Sequence, residues 1–335
     1  MPRALVTGGT GFLGGHLAGA LERAGFDVRL LDVDPADGGD REVVRADVRD
    51  AEAMRRVAAG CDVVVDNAAL VPVTRASAAE YRSVNVDGCR TTLDAAEAAG
   101  AYVLHISSSA IFGVPAQLPV AADSPLAPFE PYGQSKADAE RLVHARRESG
   151  LVVGSLRPRT LLGEGRLGLF DVIFSRIRRG RRVPMFGRGL NRVQMCDVDD
   201  FCAAALAAIE RRANADYNIG SAGFGTVRED LEGLIVRVGS RSRVQPVPVW
   251  AVRAVLQPLD AIGRSPFNEW HWHSAPAPFY FDISRAQEEL GWKPRRTNVE
   301  ALENAYRHYV RRSGASGVSA HRRPLRGVLA RLLRG

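Results

Sequence analysis

Cysteine is scarce, and the four present, Cys61, Cys89, Cys196 and Cys202, form no CxxC pair and have no histidine at metal-ligand spacing. A disulfide-stapled scaffold and a zinc module are thereby excluded, no metal is expected, and small buried apolar side chains of a reducing compartment remain. No run of apolar residues is long enough to cross a bilayer and no apolar signal core precedes the first apolar run, so a soluble, cytoplasmic chain is expected. Acidic residues are absent from 321–335, where Arg322, Arg323, Arg326, Arg331 and Arg334 stand, so the net charge of +7 gathers there and the rest is close to balance. A second basic cluster, Arg176, Arg178, Arg179, Arg181 and Arg182, has little aromatic interleaving, and nucleic acid is not an expected partner. What is present is 46% hydrophobic and 25% charged, the composition of an ordinary globular protein with one large domain or two closely associated ones.

The stretch Thr7-Gly8-Gly9-Thr10-Gly11-Phe12-Leu13-Gly14 joins an apolar run, Ala4-Leu5-Val6, to an amphipathic run from Phe12 to Ala24. It reads as strand, glycine-rich turn and helix. Gly8 bends the backbone, Gly11 lets a pyrophosphate approach, Gly14 allows close helix packing, and the first turn at Phe12 and Leu13 presents unpaired N–H groups to the phosphates. The next apolar run ends in Asp32, placed to accept hydrogen bonds from an adenosine ribose. Neither Arg nor Lys follows in Val33-Asp34-Pro35 to hold a 2′-phosphate, so NAD is the expected cofactor.

Further strand-like runs at Glu42-Val43-Val44-Arg45, Asp62-Val63-Val64-Val65, Tyr102–Ile106 and Leu151-Val152-Val153 alternate with helical periodicity. That predicts an α/β fold, a doubly wound Rossmann parallel sheet, with a small α/β C-terminal substrate-binding region. Asp47-Val48 either holds the adenine or closes a strand-end turn. Ala68 and Ala69 are small enough to let the cofactor lie over a strand tip. Asn85, polar in a packable helix running towards Ala99, reads as a cofactor contact or a solvated residue. Ser107-Ser108-Ser109-Ala110-Ile111-Phe112-Gly113 puts hydroxyls at the carboxyl edge of the sheet, where ligands of such folds bind. Tyr132-Gly133-Gln134-Ser135-Lys136 opens a helix, and its i, i+4 spacing puts phenol and ammonium on one face, where the cation favours phenolate.

With these residues assembled, the chain resembles the extended short-chain dehydrogenase/reductases, the NAD-dependent epimerase/dehydratase group, from Arg3 to about Tyr309. Fainter matches are Cys196-Asp197-Val198-Asp199-Asp200, Tyr217-Asn218-Ile219-Gly220 and Phe281 through Trp292. The resemblance implies that Tyr132 is the acid/base, that Lys136 holds the nicotinamide ribose and lowers the tyrosine pKa, and that Ser108 bonds the reacting oxygen. It also implies cofactor contacts from Ser107 and Pro158, and substrate contacts from Ser109, Arg159 and Arg192. Ser109-Ala110 stands where the sugar 4,6-dehydratases have an Asp-Glu pair, so that dehydration is not expected. Val193 falls where many sugar-nucleotide members place a diphosphate-clamping Arg, with Arg192 one position early; Val193 is shared with the hydroxysteroid-dehydrogenase branch.

The expected division is a cofactor domain, 1–160 with returns near 192–220 and 277–285, and a substrate region of 161–191, 221–276 and 286–312. The run 247–256 and the aromatic segment 267–281 are apolar enough to line a pocket, and His271 and His273 read as structural. The segment 313–320 reads as a linker, and 325–333 as a short basic amphipathic helix open to weak membrane contact. Helices 78–99 and 132–147 resemble the pair that members of this group use for a four-helix interface, so the resemblance implies a homodimer, and their alanine-rich faces would allow close approach. By family base rate a nucleotide-sugar or related sugar epimerase comes first. A dehydrogenase or ketoreductase on a lipid-like or natural-product alcohol is the alternative, and a catalytically silent NAD-binding regulator the third reading.

Overall fold

The computed structural model describes residues 1–35, 41–74, 76–165, 169–248, 250 and 277–312. The first half alternates β1 (Arg3–Thr7), α1 (Phe12–Arg23), β2 (Asp27–Asp32), β3 (Val43–Arg45), α2 (Ala51–Ala58), β4 (Val63–Asp66), α3 (Ala78–Arg82), α4 (Gly88–Ala99), β5 (Tyr102–Ile106), α5 (Pro131–Glu148) and β6 (Val153–Pro158). There follow β7 (Thr160–Leu162), α6 (Leu169–Arg178), β8 (Val183–Phe186), β9 (Met195–Asp197), α7 (Val198–Glu210), β10 (Asp216–Ile219), α8 (Val227–Arg237), β11 (Val244–Val247), α9 (Ser284–Leu290) and α10 (Asn298–Arg312).

Seven parallel strands form the main sheet in the order β10-β6-β5-β4-β1-β2-β3. The chain builds outward from β1 through β3, then returns to lay β4 on the other side of β1. The crevice at the carboxyl ends of β1 and β4 is therefore the switch point at which such sheets bind ligands. Both faces are covered, which is why the central strands are apolar without alternation. Ala4, Val6, Leu30 and Leu104 pack with Leu17 and Leu21 of α1 and Phe201 of α7. Leu5, Leu31, Val64 and Val103 pack with Met54 of α2, Leu93 of α4 and Val143 of α5. A separate core joins α6, α8 and α10 through Phe174, Leu234 and Leu302, beside the two-stranded pair β8–β11.

The structure redraws some expected boundaries. Leu151 closes the end of α5 by donating its N–H to Arg146 O, so the sixth strand begins only at Val153. The helix towards Ala99 is interrupted by a π-turn at Ser83–Asp87. Residues 286–292, expected with the substrate region, instead join the sheet's core: Ala286, Leu290 and Trp292 are buried there, and Trp292 Nε1 donates to Asp200 O at 2.9 Å. The readings of His271, His273, most of the 247–256 and 267–281 segments, and the tail 313–335 lie outside the described residues.

Candidate active site

A cleft of about 710 Å³ opens over the switch point, lined along one wall by Gly8, Gly11, Phe12 and Leu13 and along the other by Ser107, Ser108, Ser109, Tyr132 and Lys136. Gly8 has φ +62°, and a methyl group there would lie 2.9 Å from Ala68 Cα. Only glycine fits. Gly14 is not in the lining: a Cβ there would come within 2.1 Å of Gly8 O, so its role is to let α1 close onto the turn, not to meet a ligand. Gly11 is the N-cap of α1 with no side-chain cap, and no acidic residue sits in the first turn, which leaves the helix N-terminus open to an anion.

Asp32 lines the same cleft. Each of its oxygens accepts a single backbone N–H, Oδ2 from Thr10 at 3.1 Å and Oδ1 from Asp34 at 3.2 Å, which leaves lone pairs for ribose hydroxyls. Thr10 thus steadies the carboxylate, a role the sequence reading missed although Thr10 sits inside the glycine turn. Asn67, equally unforeseen, donates from Nδ2 to Thr7 O at 3.1 Å and Gly8 O at 3.2 Å, tying β4 to the turn. Asp47 and Val48 reach the lining, but Arg49 holds the Asp47 carboxylate at 2.6 and 2.9 Å and draws it below the usual carboxylate range. Ala68, Ala69 and Pro158 line the cleft as expected. Asn85 does not. The π-turn swings it inward, where Oδ1 accepts from Leu70 N at 2.8 Å and Nδ2 donates to Leu70 O and to Ser135 Oγ. It is 2% exposed and positions the loop after β4 instead of touching a ligand.

The two groups of the reactive end come from β5 and α5. Ser108 caps the short 3₁₀ turn Ser109–Phe112, its Oγ accepting from Ala110 N at 3.2 Å. Glu130, 8% exposed, caps α5 by accepting from Tyr132 N and Gly133 N, which fixes where Tyr132 begins the helix. Tyr132 stacks edge-on against Tyr81, with ring centroids 5.9 Å apart. Lys136, one turn further, is buried and donates from Nζ to Ile106 O at 2.7 Å. Burial lowers the Lys136 pKa, while the carboxylates of Asp66 and Glu140 and the Cys89 thiol work the other way.

Asp66 stands on the same face. Burial pushes its carboxyl up, but His105 at 2.7 Å and the Lys136 charge more than offset that and hold it ionised. His105 is driven to the neutral form, first by burial and then by Lys136, so its Nδ1–H donates to Asp66. Among the described residues Asp66, Cys89 and His105 could also approach one ion, as could Glu140, His144 and Asp216. Hydrogen bonds already occupy the first set, and Arg157 and Arg147 occupy the acids of the second.

On the substrate side Ser109 and Arg159 line the cleft and Arg159 donates to Ser109 Oγ at 2.9 Å. Arg192, expected to contact substrate, is exposed and lies over the rings of Phe224 and Tyr280, its carbon 4.7 and 5.4 Å from their centroids. It is not part of the lining. The antiparallel bridge between Arg192 and Thr226 turns it that way.

Comparison with known proteins shows the family and the fold. A Sinorhizobium fredii protein, y4nG, described as uncharacterized, is 35% identical, with 98% of this chain and 85% of that protein covered. A dTDP-glucose 4,6-dehydratase of Streptomyces niveus is 32% identical over 92% of both chains. A Stigmatella aurantiaca ketoreductase acting on a farnesylated dihydroquinoline oxide is 27% identical over 95% of this chain and 98% of that one. The fold superposes on a Stenotrophomonas maltophila UDP-glucose-4-epimerase with a TM-score of 0.79 at 22% identity, covering 93% and 99% of the two chains. The model of the NAD dependent epimerase/dehydratase family matches residues 4–220, and the chain belongs to that family.

Proposed function

We propose that the chain interconverts a secondary alcohol and its ketone with NAD, and that its substrate is a nucleotide sugar or related sugar undergoing epimerisation. The observation that carries this reading is the convergence of Ser108, Tyr132 and Lys136 on the cleft that also holds the glycine turn and Asp32. These residues fit NAD: the turn makes a cradle that a Cβ at Gly8 would fill, and buried Ser107 Oγ has no partner among the described residues. NAD, when bound, supplies the hydride acceptor and donor.

The chain's own groups do the rest. The N-terminus of α1 and Gly11 take the diphosphate, and Asp32 takes the adenosine ribose. Tyr132 removes the hydroxyl proton of the alcohol and returns it to the ketone oxygen. Ser108, whose Oγ accepts from Ala110 N, keeps its proton to donate to that same oxygen. A phenol with an ordinary pKa of ~10 needs a cation to act as base near neutrality, and Lys136 supplies it. Positions 109 and 110 offer no acid/base pair for eliminating water from a hexose, since Ser109 Oγ is bound to Arg159 and Ala110 has no polar atom in its side chain.

A second reading, a dehydrogenase or ketoreductase on a lipid-like or natural-product alcohol, is favoured by the stacking of Arg192 outside the cleft. Incubation with NAD and a panel of nucleotide sugars, steroid alcohols and polyketide alcohols separates the two. Epimerised product without NADH accumulation supports the first; net NADH supports the second. Loss of neither substrate nor NAD from any mixture would leave the silent-regulator reading. We also infer a homodimer through the helices of 78–99 and 132–147; for 313–335 a functionless terminus ranks first and weak contact with anionic membranes second, and vesicle co-sedimentation of the full chain and of a chain ending at Arg312 separates the two.

A further inference from the structure

Arg159 follows the last residue of β6 and is held by its own N–H to Ile219 O at 3.0 Å. Its side chain enters the cleft beside Ser109, yet the residue is only 5% exposed. The guanidinium carbon lies over Phe279, 4.1 Å from the ring centroid, a cation–π contact that restricts where the head group can go. It makes one side-chain hydrogen bond, to the neutral Ser109 Oγ, and its buried Nε has no partner among the described residues.

Nearby arginines are treated differently. Arg157, two residues earlier, is met by Glu140 at 2.7 and 2.9 Å and by Asp216 at 2.9 Å. Arg147 is met by Asp216. Among the described residues no carboxylate pairs with Arg159: the described acids in the lining are Asp32, Asp34 and Asp47, at the end expected to hold adenosine, whereas the reactive end contributes Lys136 and Arg159. Desolvation alone pulls the Arg159 pKa down, to about 9, which leaves it a cation at neutral pH. A buried cation with an empty donor edge is costly unless something brought into the site neutralises it.

We propose that this counter-charge comes from the substrate: the alcohol or ketone handled in this cleft carries a carboxylate close to its reacting carbon, as a hydroxy acid or a uronate does, and Arg159 recognises it. A carboxylate is favoured because its two oxygens match a planar guanidinium edge, and Phe279 holds that head group at the cleft. The inference rests on the alcohol–ketone reading and narrows its substrate class.

Matched pairs test it: UDP-glucuronate against UDP-glucose, and 3-hydroxybutyrate against its methyl ester, each offered to the full-length protein with NAD. Turnover is read as kcat/KM from NADH and product, and binding by calorimetry on the Tyr132→Phe protein with NAD. The expected result is a preference for the carboxylate member of a pair in both readouts. In Arg159→Gln that preference, the ratio of kcat/KM or of Kd between members, should shrink about 10- to 100-fold, as removal of a charge-assisted hydrogen bond predicts, and Arg159→Lys should retain part of it. A purely structural Arg159 would lower both members equally, and that outcome overturns the proposal. So does a neutral member handled as well as its acid. Carboxylate-selective binding without turnover of either member would uphold Arg159 and sink the hydride-transfer reading instead.

Discussion

Tyr132 offers the sharpest test at the scale of one residue, because a single atom separates it from phenylalanine. Tyr132→Phe keeps the edge-on contact with Tyr81 and the cap from Glu130, so fold and NAD affinity should hold. Turnover should drop by ~10²–10⁴, the usual worth of a positioned acid/base; steady-state rates within a few-fold of the parent would remove Tyr132 from the role. Asp32→Ala should narrow the preference for NAD over NADP, measured by titration, since the carboxylate both binds ribose and repels a 2′-phosphate. Tighter NADP binding by the unaltered protein would contradict that reading of β2. Asp66→Asn removes the buried acid that favours the charged form of Lys136, so the alkaline fall in kcat should move to lower pH. An unmoved profile would show that Asp66 does not reach Lys136. The glycine turn, Asp32 and the Tyr132/Lys136 pair were legible in the sequence because their spacing is local. Asn67, Asn85 and Asp66 were not, since each takes its meaning from partners brought near only by folding: Gly8, Leu70 and His105.

At the scale of the element, α5 does more than carry the base. Tyr132, Lys136 and Glu140 fall on one stripe at i, i+4 and i+8, and Glu140 is fully buried against Arg157 of β6. That pair fixes the rotation of the helix about its axis and with it the direction of the two reactive groups. Arg157→Met would strand Glu140 and leave Asp216 short of a partner. It should cost about 3–5 kcal/mol in urea unfolding, the range for breaking a buried pair; a loss below about 1 kcal/mol would mean the pair is dispensable. Asp216 adds a pH signature. Burial would raise its pKa, but His144, Arg157 and Arg147 outweigh burial and depress it strongly in the folded state. A depressed carboxyl contributes stability that is fully present above the unfolded value of about 3.9 and fades as pH falls below it. The stability gap between parent and Asp216→Asn should accordingly be wide at neutral pH and close in acid, and a gap that is constant with pH would argue against the assignment. The alternation of β1 to β6 with helices was readable from periodicity, whereas β7, β8, β10 and β11 were not read as strands. The π-turn and the late start of β6 were not, because one depends on Asn85 finding Leu70 and the other on where α5 closes.

For the whole molecule, the alanines of the expected dimer helices divide between two faces. Ala95, Ala96, Ala137 and Ala139 are at most 2% exposed and point into the cores beneath α4 and α5, whereas Ala98 and Ala145 stand exposed on the same helices and stay open to a second copy. Sequence shows that a helix has a small-residue face, but not which way that face turns. What α4 and α5 also present outward is charge: Arg146 reaches Glu97 at 2.8 Å and also pairs with Asp94, while Asp138 takes Arg141 and, at 3.7 Å, Arg82 from α3. Such pairs contribute little stability within one chain, about 0–1 kcal/mol each, and remain available to re-pair across an interface. A dimer built on these helices is therefore held by exposed ion pairs, and exposed ion pairs weaken as the screening length shrinks from roughly 10 Å near 0.1 M salt to roughly 3 Å near 1 M. Light scattering should accordingly give twice the chain mass at low salt and a falling average mass as salt rises. A monomer throughout would end the dimer proposal, and a dimer indifferent to salt would move the interface away from α4 and α5.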